Sequence, residues 1–532
     1  MKAEDLLDII GDVSEEYIAD AGKENRKRRR IPTWTKWAAG AVAACLVLIV
    51  SIPLLMPRAG SSAPGSDGEA PMTGGGGSGH EEGMVFMSYA GPVFPLTLME
   101  ETSGLIAERT ITYDFSTYGE GGTETEVWGG NGGAIVRDGY RLTNLSEEDI
   151  AVTGVYPIAG DYQLMEWPAI TADGQEVAYE IISGSYTGGF RGAGDEHTES
   201  VNLHSLTSWE GYRDLLTDGS YFAEAFAEAP VLDMPVILYE LTNITDGDCG
   251  FDAATLAVHY RYDAGRTNIM TYGFNGGGED PETGEGIRDF FIREGRRKPD
   301  EETKYLIVVG DDIEDIRLQG YQNGACEPGN EAEGPAASLT RRETTMGEVL
   351  KAIAQSRYDE ISGTEFDGDH NRYLNERIGF EMYYGDICKY FAEYGPMGED
   401  PKERYSFEWG ARLEDIVEET AYRERILYLT FPITIPAGDS VELTAEQFQP
   451  ASFDFHCGGE NVGIEGYDMV TGLGSNLTFL GQRAAIENYD AIEILRQNFG
   501  FDLANGVAEV ALEMGKPHYY LEVRGIAGSE GE

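Results

Sequence analysis

The sharpest chemical cluster in the chain is Asp367-Gly-Asp-His-Asn371. Oxygen ligands at positions one, three and five open a calcium loop, which makes Asp367, Asp369 and Asn371 the candidate metal ligands. The match is partial. Arg372 stands where such a loop needs its glycine, and Ile378 where it needs its final glutamate. Apart from calcium, no cofactor is expected. Glu279-Asp-Pro-Glu282 and Asp311-Asp-Ile-Glu-Asp315 are acidic runs with less of that pattern.

Of five cysteines, Cys249, Cys326, Cys388 and Cys457 could form two disulfides by any of three pairings, or remain thiols. No two have the C-x-x-C spacing of a zinc or redox centre. The seven histidines, at 80, 197, 204, 259, 370, 456 and 518, are dispersed. The chain has no Gly-x-Ser-x-Gly elbow, His-Glu-x-x-His pair, P-loop or dinucleotide fingerprint. With 94 carboxylates, a pair spaced for glycoside hydrolysis arises anywhere by chance and carries no information. The expectation is a non-enzymatic protein. A net charge of −55 repels phosphate backbones, so nucleic acid is not an expected partner.

The stretch that positions everything else is Trp37–Met56, WAAGAVAACLVLIVSIPLLM, twenty residues without a charge. As a helix it reaches about 30 Å, the thickness of a bilayer's hydrocarbon core. Lys23-Glu-Asn-Arg-Lys-Arg-Arg-Arg30, Trp34 and Lys36 precede it, and such cations stay on the cytoplasmic side while tryptophans favour the interface. Residues 1–36 are thus expected to be a cytoplasmic tip, 37–56 a transmembrane helix in membrane lipid, and the rest extracellular. A cleaved signal would need small residues before a cut, and Leu55-Met-Pro-Arg-Ala59 puts proline at that place. Cys45 lies too early in the apolar run for a lipoprotein signal. Residues 57–84, rich in Gly, Ser and Pro, read as a flexible linker.

In the tip, Leu6-Leu-Asp-Ile-Ile-Gly-Asp-Val-Ser-Glu-Glu-Tyr-Ile18 carries two apolar patches too short to be stable helices alone. With the basic run and Ala-rich span after it, it resembles the start of uncharacterised membrane-anchored proteins of Gram-positive anaerobes, some of them anti-sigma-factor-like. The likeness covers about residues 1–57 and implies location and topology. It also implies that residues 1–36 can hold a cytoplasmic protein partner. The zinc-binding kind of anti-sigma domain carries a His and Cys cluster, and this tip has neither residue type.

From Met87 the texture turns to β. Ile111, Tyr113 and Phe115 share one face of a period-two pattern, and Ala134–Asn144, Ile150–Tyr156 and Glu176–Ile182 come next, between turn residues. Tyr140-Arg-Leu-Thr-Asn-Leu-Ser146 is echoed 99 residues on by Tyr239-Glu-Leu-Thr-Asn-Ile-Thr245, a hint of two related sandwiches. Met346, Val349, Leu350, Ile353 and Ala354 keep helical spacing, as do the apolar residues of Phe380–Tyr394.

The expected fold is mainly β with a helical insertion: one transmembrane helix followed by an antiparallel β-sandwich, immunoglobulin-like ectodomain. Its expected parts are a first sandwich over 85–195 and a helical connection with the start of a second over 196–337. A helical insertion over 338–424 and the remainder of the second sandwich over 425–532 complete it. Asn144, Asn243 and Asn476 open N-x-S/T sequons, which in a bacterial chain are ordinary turns. The leading functional expectation is a single-pass cell-surface protein whose acidic ectodomain binds or senses an extracellular ligand or protein. A membrane-bound regulator acting through the tip comes second, and an extracytoplasmic hydrolase third.

Overall fold

The computed structural model describes residues 88–89, 92–118, 133–163, 167–186, 220–247, 249, 253–293, 303–362, 374–394, 412–422, 425–454 and 464–526. The stretch 37–56, the tip and the linker lie outside them. Among the described residues no helix is long and apolar enough to cross a membrane.

In chain order the first leg carries β1 (Ser88–Tyr89), β2 (Thr97–Leu98), β3 (Leu105–Asp114), β4 (Ala134–Asn144), β5 (Ile150–Gly160), β6 (Ala169–Ala172), β7 (Gln175–Glu176), β8 (Glu180–Tyr186) and helix α1 (Ser220–Ala225). The middle leg carries β9 (Pro235–Thr245), β10 (Ala253–Arg261), β11 (Thr267–Tyr272), β12 (Gly276–Asp280), β13 (Glu285–Arg293), β14 (Lys304–Gly310), β15 (Glu314–Tyr321) and β16 (Ala336–Thr345). Helices α2 (Met346–Ile361), α3 (Phe380–Tyr394) and α4 (Leu413–Tyr422) come after it. The last leg carries β17 (Arg425–Ile435), β18 (Ser440–Gln449), β19 (Phe453–Asp454), β20 (Ile464–Val470), β21 (Thr478–Glu487), β22 (Ile492–Gln497), β23 (Glu509–Ala511) and β24 (His518–Gly525). The protein is mainly β, in several sheets whose strands pair antiparallel except for β3 with β21.

These legs form two compact units, and the last leg corrects the expected domain order. Residues 425–526 do not complete the second sandwich. β17 pairs with β5 from Arg425↔Gly160 to Ile435↔Ile150, and β18 pairs with β4 from Ser440↔Thr143 to Gln449↔Ala134. The middle leg is thus an insertion in the chain of the first unit. Alternation marks a strand and its buried face but does not name its partner, so sequence order stood in for pairing.

In the first unit a five-stranded sheet, β1-β19-β20-β24-β22, packs on a seven-stranded one, β23-β21-β3-β4-β18-β6-β7. Tyr467, Met469, Leu521 and Val523 meet Ile111, Tyr113, Val136 and Ile486 in the core between them. A four-stranded sheet, β2-β5-β17-β8, packs its Val155, Ile426 and Tyr428 with Phe222, Ala225 and Phe226 of α1 and the residue after it. Gly154 is required in β5, because a Cβ there would enter the rings and methyls of Phe431 and Ile433.

In the second unit two four-stranded sheets, β12-β13-β10-β15 and β11-β14-β9-β16, enclose one core. Leu256, Val258, Tyr260, Phe290 and Ile292 come from the first, and Tyr239, Leu241, Leu306 and Val308 from the second. This is the arrangement expected of a β-sandwich. The helices begin at Met346 rather than 338, since β16 runs to Thr345 along β9. Only Ala337 and Leu339 of that strand pack against the core, and the rest of it carries little apolar alternation. Thr345 caps α2 by accepting from the Glu348 N–H. The Tyr383 hydroxyl on α3 donates to the Val417 carbonyl of α4 at 2.8 Å.

Both units share one wiring of four strands. β4 pairs with β18 while β5 pairs with β17; β9 pairs with β16 while β10 pairs with β15. The echoed Thr-Asn lies at corresponding strands, but the two asparagines act differently. Asn144 is buried and ends β4, its amide donating to the Glu148 and Ile435 carbonyls at 2.8 and 3.0 Å. Asn243 is exposed at φ 53°, in the register shift where β9 continues past a bulge.

Candidate functional site

The calcium candidates Asp367, Asp369 and Asn371 lie outside the described residues, as does Cys457. Cys249, Cys326 and Cys388 stand as free thiols. The other acidic runs build turns. Asp280 Oδ1 accepts from the Glu282 and Thr283 N–H groups between β12 and β13. Asp312 accepts from the Tyr239 hydroxyl at 2.7 Å and pairs with Arg341 at 2.8 Å, and Asp311 pairs with Arg266 at 2.8 Å. Among the described residues no group of three His, Cys, Asp or Glu side chains could hold a metal ion.

One cluster of reactive types gathers on the outer face of the β12-β13-β10-β15 sheet. Alternation sends Leu256, Val258 and Tyr260 of β10 into the core, leaving Thr255 and His259 on the other face beside Tyr321 and Arg317 of β15. His259 Nε2 lies 3.0 Å from the Tyr321 hydroxyl. Burial, then Arg317, lowers the His259 pKa. Burial, then Asp289, pushes the Cys326 thiol up to about 11, and burial raises Asp289 itself against the pull of Arg288. Each shift favours the neutral form. A nucleophilic cysteine needs the opposite, a thiolate stabilised by nearby positive charge.

In the first unit a groove of about 570 Å³ lies beside β22. Ile494, Leu495, Arg496 and Gln497 border it on one side, Phe501–Ala504 on the other, with Tyr520 also lining it. Among the described residues β22 is an end strand, paired only with β24. The pairing passes from Ile494↔Val523 to Arg496↔Glu522, so Leu495 is the extra residue of a bulge.

The far wall is a 3-10 turn, Leu503–Asn505, capped by the Asp502 carboxylate at its start and by Gly506 at φ 76° at its end. Gln497 ties the walls together. Its Oε1 accepts from the Phe501 N–H at 2.9 Å and its Nε2 donates to the Phe501 carbonyl at 2.7 Å. Phe501 stacks on Phe499, which meets Tyr519. Arg496 Nε donates to buried Glu522. Burial raises the Glu522 pKa and the guanidinium opposes it; burial, then Glu522, pushes Tyr520 up to about 12. The groove offers a lining as polar as it is apolar, with Phe501 and Tyr520 largely buried behind it, a strand edge and a neutralised charge pair. That is binding chemistry.

Two further pairings were missed by sequence reasoning. His518 Nε2 lies 2.8 Å from Asp468 Oδ2 across β24 and β20. Arg109 and Asp138 form a fully buried ion pair. The second had a readable signal: Arg109 is in phase with buried Ala107, Ile111 and Tyr113, and Asp138 with Val136, Tyr140 and Leu142. Opposite charges on the apolar faces of two neighbouring strands point to a buried pair. The groove had no such signal, since nothing local to β22 or β24 marks the pairing that sets Arg496 against Glu522.

No protein-family model matches the chain, and no curated protein matches it.

Proposed function

We propose that this is a single-pass, membrane-anchored surface protein whose acidic, β-rich outer part binds or senses an extracellular ligand. The observation that carries the reading is Trp37–Met56, an uncharged run with its cations on one side. The distribution of charge adds support. Residues 1–36 hold eight basic and eight acidic side chains, so the whole net charge of −55 belongs to residues 37–532. The described sheets all begin at Ser88, after the linker. An immunoglobulin-like fold for the sandwiches is part of the same proposal, supported by the four-strand wiring that both units share. The groove beside β22 supports binding as the task of the outer part.

Protease added to intact cells tests this directly. Loss of the 88–526 portion with retention of a short anchored stub is expected. A full-length chain that survives, or that sits in the soluble fraction, overturns the reading.

A regulatory role for the tip is the second proposal, supported by its resemblance to anti-sigma-factor-like starts. A pull-down with the full chain in detergent separates it: a cytoplasmic protein retained through residues 1–36 supports regulation, and its absence removes it.

A further inference from the structure

The groove beside β22 has a direction. Successive side chains of a strand point to opposite faces. Yet Ile494, Leu495, Arg496 and Gln497, four residues in a row, all border the same opening. Even allowing for the bulge at Leu495, a groove touched by both phases runs along the strand's edge, where backbone N–H and C=O groups are presented. Natural sheets guard such edges with lysine, proline, an inward charge, a bulge, shortness or a covering loop. β22, IEILRQ, has no lysine or proline, and its sole cation, Arg496, is bonded to Glu522. The bulge at Leu495 is the guard that β22 does have, and beside it the edge still borders a trough with Phe501, Leu503 and Ala504 as its far wall. Gln497 fixes the spacing of the two walls through both Phe501 backbone groups. At about 3.3 Å per residue the edge Ile494–Gln497 faces roughly four residues of an extended chain.

The charge around this trough selects the occupant. Asp502 lines it and Glu493 precedes Ile494 on β22, opposite Arg524; both carboxylates are exposed, and the chain as a whole carries −55. An acidic field concentrates cationic ligands and repels anionic ones.

We propose that the β22 trough takes an extended basic peptide as an added strand, apolar side chains against Phe501, Leu503 and Tyr520 and lysines or arginines toward Glu493 and Asp502. The proposal rests on the binding role argued above and names its ligand class. The backbone ladder supplies affinity and the alternate side chains supply selectivity.

The test uses the purified full-length chain in detergent. Its probes are a synthetic lysine–valine alternating peptide of about eight residues, its glutamate–valine counterpart, and two versions of the first N-methylated at odd or at even amides. The expected result is binding of the lysine–valine peptide that weakens with salt, no binding of the glutamate version, and loss with one of the two N-methylated sets. Hydrogen exchange should slow at amides within 494–497. Ala504, exposed on the far wall, gives a variant that fills the trough without touching the core. A504W should weaken binding at least about tenfold with thermal unfolding unchanged.

Binding that ignores both N-methylation and A504W overturns the proposal in favour of diffuse attraction to an acidic surface. No binding of any peptide overturns it outright. Concentration-dependent dimerisation abolished by A504W, without peptide binding, assigns the edge to a second copy of the chain and overturns it as well. These readouts use purified protein. They can therefore fail while protease shaving still succeeds, and the two failures are told apart.

Discussion

The Arg109 guanidinium meets the Asp138 carboxylate side-on, Nε to Oδ1 and Nη2 to Oδ2 both at 2.8 Å, with both side chains fully buried. The remaining donors reach backbone carbonyls: Nη1 to Val470 at 2.7 Å and Thr471 at 3.4 Å, and Nη2 to Phe94 at 3.3 Å. Asp138 Oδ2 also accepts from Tyr140 at 2.6 Å and Tyr156 at 3.3 Å, and the Tyr140 hydroxyl accepts from the Leu96 N–H at 2.9 Å. One pair thus ties β3 and β4 to β5, to the end of β20 and to the incoming segment 93–96. Burial alone would disfavour the guanidinium's charge, but Asp138, Tyr140 and Tyr156 together outweigh it and hold the Arg109 pKa above its ordinary value.

Removing one partner leaves the other charged and buried. Arg109→Met is expected to cost about 3–5 kcal/mol. R109K should not rescue it, because an ammonium cannot supply the bidentate fork and three backbone contacts together. Arg109→Met with Asp138→Leu should recover a large part of the loss. Urea unfolding of the three variants checks this, and a single variant as stable as the parent would contradict it.

Asp161 supplies a pH dependence. Burial pushes its pKa up from 3.8 to about 6, against an N–H bond from Gln163 and the nearby Arg425. A raised carboxyl binds its proton more tightly folded than unfolded, so this residue favours folding below pH 3.8 and loses that contribution as pH rises through about 6. Asp161→Asn should therefore gain stability over the parent as pH is raised from about 4 to about 8. Thermal midpoints of both proteins across that range test it; a constant difference would exclude the assignment.

Asn476 acts as a one-residue strand for the incoming segment. Its Oδ1 accepts from the Leu98 N–H and the Thr97 hydroxyl, both at 3.0 Å, and its Nδ2 donates to the Leu98 carbonyl at 3.0 Å and the Glu100 carbonyl at 3.3 Å. Asn476→Asp keeps the acceptor and deletes the donor, at an expected cost of about 1–3 kcal/mol. Hydrogen exchange should quicken over 93–100 more than over β4 or β18; uniform quickening would mean global loss instead.

Cys326 should be a slow thiol. Raising its pKa from 9.0 to about 11 cuts the thiolate about a hundredfold. The more basic thiolate is more nucleophilic and recovers part of this, so alkylation at about pH 8 should run roughly tenfold slower folded than in urea. Mass spectrometry of the labelled peptide reads the ratio, and equal rates would refute it. The same digest reports whether Cys249, Cys326 and Cys388 are all alkylated, as free thiols must be.

Legibility followed local pattern closely. The helix expected at Phe380–Tyr394 runs over those same residues, and so does the strand expected at Ala134–Asn144. β20 was invisible because all seven of its residues are buried, Glu465 and Asp468 included, so no polar face alternates with an apolar one. β16 was invisible for the opposite reason: little of it is buried. The sequons Asn144 and Asn476 read as turns, and their amides do hold chain segments in place, but the segments they hold are remote in sequence.

Taken alone, the sequence determines what depends on near neighbours: period-two strands, helical stripes, the uncharged run at 37–56 and the sign of the charge outside it. Tertiary structure decides which strands meet. That choice puts Arg425–Gln449 beside strands almost three hundred residues earlier, buries Arg109 against Asp138, and sets Arg496 against Glu522 at the trough's rim. The physical reason is that a strand's own side chains specify its buried face, whereas its partner is specified by the total packing of the sheet, a sum over residues far apart in the chain.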